Sequence, residues 1–126
     1  MKNKLIALAS ILASMTAFDV WAHALLLQST PKDHEQLKSS PEKVVLRFNG
    51  QIEKKVSQVT LTNKQGKKMT LPQAAQGFTS GSVDSLEIQL PKLTPGSYQL
   101  HYRILAMDGH TTPGLIQFSI LEKATQ

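Results

Sequence analysis

Cysteine is absent from the 126 residues, so no disulfide can staple the fold, and thiolate, the soft ligand that suits Cu(I), is not on offer to a metal. Aromatic residues are scarce at 6%, with Trp21 the single tryptophan. No apolar run reaches the roughly 20 residues that a membrane-spanning helix needs. No internal repeat, heptad or glycine-rich phosphate loop is present, which sets aside solenoid, coiled-coil and P-loop readings. Positive charge exceeds negative by +5, but it is spread along the chain. Lys54-Lys55 and Lys67-Lys68 are the only basic doublets, a pattern of solvated surface and not of a nucleic-acid groove.

What is present begins with an export signal. Lys2 and Lys4 precede a mostly apolar stretch from Leu5 to Phe18, and Val20 and Ala22 supply small residues at the two positions that signal peptidase reads. Residues 1–22 are therefore expected to be a removable signal, and residues 23–126 one domain with a single hydrophobic core. Trp21 leaves with the signal, and the mature chain keeps no indole to stack on a sugar. Ala22-His23-Ala24 also fits a cut after Ala24, which would start the mature chain at Leu25. The difference matters, because cleavage after Ala22 makes His23 the N-terminus. Its free α-amine and ring Nδ1 could then grip one ion together, a chelate suited to Cu(II) and its preference for nitrogen in a tetragonal plane.

The mature chain has the period of short strands. Val44, Leu46 and Phe48 alternate with Val45 and Arg47; Val59 and Leu61 with Thr60 and Thr62; Leu86, Ile88 and Leu90 with Glu87 and Gln89. Tyr98, Leu100, Tyr102 and Ile104 face one way, and Gln99, His101 and Arg103 the other; Ile116, Phe118 and Ile120 close the series. Turn signals stand between them at Thr30-Pro31-Lys32-Asp33, Ser40-Pro41, Asn63 to Gly66, Pro95-Gly96, Asp108-Gly109 and Pro113-Gly114. With no sustained helical period, the pattern predicts an all-β, immunoglobulin-like Greek-key sandwich of about seven strands. Pro72 to Ser85 reads as a long loop, and Lys123 to Gln126 as a frayed tail.

Metal-capable side chains are few: His23, His34, His101 and His110, with Met69 and Met107 the only methionines after the signal. Asp108-Gly109-His110 sets a carboxylate and an imidazole two residues apart around a glycine that can take positive φ, so that a tight loop could aim both at one place. Alone the triplet is an ordinary surface turn. Joined to a terminal histidine it becomes a candidate copper site. His34 reads as a solvated turn residue that could approach the terminus, His101 as a surface residue, and Met107 as packing beside the turn.

Taken together, His23-Ala24, Ser29-Thr30-Pro31, Pro41, Val44 to Phe48, Leu93 to Tyr98, Tyr102-Arg103, Asp108-Gly109-His110, Gly114 and Phe118 resemble the CopC family of periplasmic copper-binding proteins. The resemblance spans essentially the whole mature chain and favours cleavage after Ala22. It implies a seven-to-nine-stranded sandwich that binds one Cu(II) per chain at one end. The implied ligands are the amine and imidazole of His23 and the imidazole of His110, with Asp108 weaker or acting through a hydrogen bond. It also implies a periplasmic location and a CopD-type inner-membrane partner.

Two departures bear on chemistry. Many family members carry a glutamate two residues after the position of Phe48, where this chain has Gly50, so Asp108 matters more. Members that also hold Cu(I) use a methionine cluster that Met69 and Met107 cannot make, and a Cu(II)-only form is expected. Two other readings stand beside a copper buffer or carrier. One is a copper oxygenase using the same histidine brace; the other is a metal-free exported binding sandwich, favoured if the mature chain starts at Leu25.

Overall fold

Alternation decides which residues face inward. In a strand successive side chains point to opposite faces, so Tyr98, Leu100, Tyr102 and Ile104 are all buried while Gln99, His101 and Arg103 are exposed. The computed structural model describes residues 24–72 and 78–123. The expected signal, His23, the middle of the expected 72–85 loop and the last three residues of the tail lie outside them.

Eight strands are seen among the described residues: β1 (Leu26–Thr30), β2 (Glu35–Leu37), β3 (Lys43–Phe48), β4 (Gln58–Asn63), β5 (Lys68–Met69), β6 (Ser85–Gln89), β7 (Gly96–Leu105) and β8 (Thr111–Ile120), with a single 3-10 turn at Lys54–Val56. They form two sheets, ordered β1-β3-β6 and β2-β8-β7-β4-β5. All pairings are antiparallel except β2 with β8. The inner faces share one core, in which Val44, Leu46, Leu61, Leu86, Ile88, Leu100 and Ile104 are fully buried. Edge-to-face contact of Phe48 in β3 with Tyr102 in β7, ring centroids 5.8 Å apart, joins the sheets. This is the expected β-sandwich. No helix among the described residues is long and apolar enough to cross a membrane.

Tyr98, two residues into β7, donates its hydroxyl hydrogen to the Thr94 carbonyl at 2.6 Å, the corner contact by which sandwich folds fix the entry of a strand. Pro113-Gly114, expected as a turn, instead lies inside β8. Gly114 pairs with Tyr102, and a Cβ there would run into the Tyr102 ring. The glycine leaves room for the ring to lie across the neighbouring strand. The described part of the expected long loop is irregular up to β6, and it is anchored by Phe78, which is 3% exposed.

At one end the sheets are stitched by the segment after β3. Ile52 donates its N–H to the Val83 carbonyl at 3.0 Å and bridges Ala106, and Glu53 donates to the Leu105 carbonyl at 2.8 Å. Lys54 reaches over with its ammonium, donating to the carbonyls of Ser80 and Gly81 at 2.8 and 2.9 Å. Nearby, the Ser82 hydroxyl donates to Asp84 at 2.6 Å. That hydrogen bond, ahead of the weaker pull of Arg47 and Lys54, holds the Asp84 carboxyl below the usual range against the opposing effect of desolvation.

Candidate metal centre

The loop joining β7 to β8 carries Asp108-Gly109-His110, and local chemistry closes it. Gly109 takes φ 88°, a conformation that a Cβ would disfavour. Its N–H donates to the Ala106 carbonyl at 3.0 Å, and Ala106 in turn donates to the His110 carbonyl at 2.9 Å. Asp108 then folds back on the turn. One carboxylate oxygen accepts the His110 backbone N–H at 2.9 Å, as aspartate commonly does two residues ahead. Its other oxygen lies 3.3 Å from His110 Nδ1.

Engagement of Nδ1 by a carboxylate orients an imidazole and selects its tautomer, leaving Nε2 as the nitrogen to present to a metal. The His110 side chain is 49% exposed and that of Asp108 22%, so the ring is reachable from solvent while its partner is held closer in. Such a pair is half a site. Among the described residues no three of His, Cys, Asp and Glu gather to hold an ion, so an ion held at this turn would need a further ligand.

The start of the domain is at the same end. Ala24 is buried at 2% exposure. Leu25 exchanges two hydrogen bonds with Asn49, donating its N–H to the side-chain carbonyl and accepting the Asn49 N–H, both at 2.9 Å. Asn49 and Ile52 are three residues apart, and Ile52 bridges Ala106, so residue 25 and the 106–110 turn are tied to adjacent parts of one short segment. His23 itself lies outside the described residues.

The other sequence candidates are not brought here. His34 donates its N–H to the Gln117 carbonyl, and Gln117 lies seven residues along from His110, on the order of 20 Å at strand rise. The His34 ring is 3.4 Å from Asp33. His101 is exposed on β7 and pairs with Leu115, five residues along the chain from His110. Met69 in β5 pairs with Leu61 in β4, at the level of Leu100, whereas Met107 sits in the turn, 54% exposed. The two methionines therefore form no cluster. The concavity lined by Arg47, Asp84, Glu87 and their neighbours belongs to the three-stranded sheet and includes neither Asp108 nor His110.

A family model described as the CopC domain matches residues 26–121. Copper resistance protein C of Xanthomonas campestris pv. juglandis is 33% identical over 119 residues, covering 91% of this chain and 91% of that protein. Protein YobA of Escherichia coli (strain K12) is 29% identical over 118 residues, 90% of this chain and 91% of YobA. The crystal structure of CopC from Methylosinus trichosporium OB3b matches with a TM-score of 0.73 at 26% identity, covering 82% of this chain and 99% of that one.

Proposed function

This chain belongs to the CopC family, and on that premise we propose that it is an exported Cu(II)-binding protein of copper homeostasis and resistance. It holds one ion per chain at the 106–110 end of the sandwich and buffers it or passes it to an inner-membrane partner. The observation that carries this reading is the contact of Asp108 with His110 Nδ1 at 3.3 Å, the arrangement that prepares an imidazole to ligate through its other nitrogen.

With cleavage after Ala22, His23 adds its α-amine and ring to His110, and three nitrogens leave a fourth equatorial position for water or a carboxylate, an environment that suits Cu(II). Asp108 acts through its hydrogen bonds to His110 or at that fourth position. Removal of the signal releases the domain in the periplasm. A CopD-type inner-membrane protein is the partner in this scheme. Leu25, Val83 and Met107, each more than half exposed and tied to the same end of the fold, give such a handover an apolar contact surface.

The test begins with the terminus. Protein starting at His23 is expected to bind one Cu(II) tightly by calorimetric titration. The same protein with one residue added before His23 should bind far more weakly, because the amine has become an amide. Equal affinities would remove His23 from the site. A separate assay addresses enzymatic activity. Copper-loaded protein given ascorbate and oxygen is expected to leave polysaccharides uncut and to release copper to a chelator on reduction; oxidised cleavage products would make the protein an oxygenase.

A further inference from the structure

Between His23 and the first strand lie only Ala24 and Leu25, and the way they are held decides how freely a terminal chelate can move. Ala24 is packed into the core at 2% exposure, whereas the Leu25 side chain is 59% exposed and so contributes little packing. Leu25 is held by polar contacts instead. Its N–H donates to Asn49 Oδ1 and its carbonyl accepts the Asn49 N–H, both at 2.9 Å. The side-chain oxygen takes the place of a ladder carbonyl beyond the end of β1, where regular pairing begins at Leu26 with Phe48. Asn49 is itself fixed from below, since Phe48 is 1% exposed and donates its N–H to the Asp84 carbonyl at 2.8 Å.

We propose that Asn49 is a positioning residue for the copper site. By gripping Leu25 through side chain and backbone, it orders the chain two residues after His23, at the end of the sandwich that carries the 106–110 turn. Without the grip, that ordering must be met by the binding event itself, and the apparent affinity falls. The inference rests on the reading of His23 as the terminal ligand.

Two substitutions separate this role from general support of the fold. Asn49→Ala removes the acceptor, and Asn49→Asp keeps it. In protein starting at His23, Asn49→Ala should weaken Cu(II) binding about three- to tenfold in competition titrations, the scale of one lost hydrogen bond, while Asn49→Asp keeps wild-type affinity or better. The same pair is then made in protein carrying one extra residue before His23, where no amine chelate exists to be positioned. There Asn49→Ala should change copper binding by less than twofold. Unchanged affinity of Asn49→Ala in the first background would overturn the proposal, as would an equal loss in both backgrounds, which marks a structural role only. Failure of the wild-type protein starting at His23 to bind Cu(II) would overturn the functional reading as well, and is distinguished from the other outcomes by involving no Asn49 variant.

Discussion

Copper binding should fall more than about a hundredfold in His110→Ala, because the variant loses the imidazole proposed as a ligand, whereas removal of an outer-shell partner alone commonly costs about 10–100-fold. The Asp108 variants dissect the second effect. Asp108→Asn keeps an oxygen for the His110 backbone N–H, now held by Asp108 at 2.9 Å, but loses the charge beside Nδ1; a loss within that 10–100-fold range is expected. Asp108→Ala removes both contacts and should additionally loosen the turn. His34→Ala and His101→Ala should bind as wild type, since His34 is bonded to Gln117 and His101 is paired with Leu115, both well down β8 from His110. Electron paramagnetic resonance reads the result directly. A Cu(II) spectrum that is the same in His110→Ala and wild type would sink the ligand assignment.

Heat gives the second large effect. A ligand that binds only the folded state adds stability by mass action, about 4 kcal/mol when its free concentration is about 1,000 times Kd. For a domain of this size each kcal/mol moves the melting temperature by about 4–8 °C, so saturating Cu(II) should raise it by more than about ten degrees. The rise should vanish with a chelator. Zn(II), which stands below Cu(II) in the affinity order and prefers tetrahedral surroundings, should give a smaller shift. Equal shifts with both ions, or none with either, would argue against a copper-selective site preformed in the fold.

Much of the sandwich could be read from alternation, because β3 and β7 each have one face in the core and one in water. Val44, Leu46 and Phe48 are all buried, as are Tyr98 to Ile104 on the same side. The strands that alternation did not single out are those that break its premise. β1 opens with two leucines that follow a third just outside it, buries only Ser29, and shifts register between Leu26 and Gln28; β2 and β5 have three and two residues, too few to display a period. The first half of β8 was hidden by Pro113-Gly114, since a turn glycine and one that clears space for a ring are alike until the Tyr102 side chain is seen opposite.

The same distinction applies to the site. Asp108 and His110 were legible because the chemistry of their turn is local, with a glycine at positive φ and an aspartate bonding two residues ahead. Asn49 was not. Its partner lies 24 residues away, and beside the missing glutamate at Gly50 it reads as an ordinary polar residue after a strand. Only the pairing of β1 with β3 brings it to Leu25.

The stitch made by Ile52 links the fates of the sheets at this end. Its N–H is committed to Val83 on one side, while it bridges Ala106 and the next residue, Glu53, donates to Leu105 on the other, so the anchor of the 106–110 turn and the entry to β6 share one short segment. Local opening is then expected to occur as one sub-global unit, with amides of the two sheets exchanging with solvent at a common rate. An ion that bound this end would slow that exchange in both sheets together, including at Ile52, which is no ligand at all.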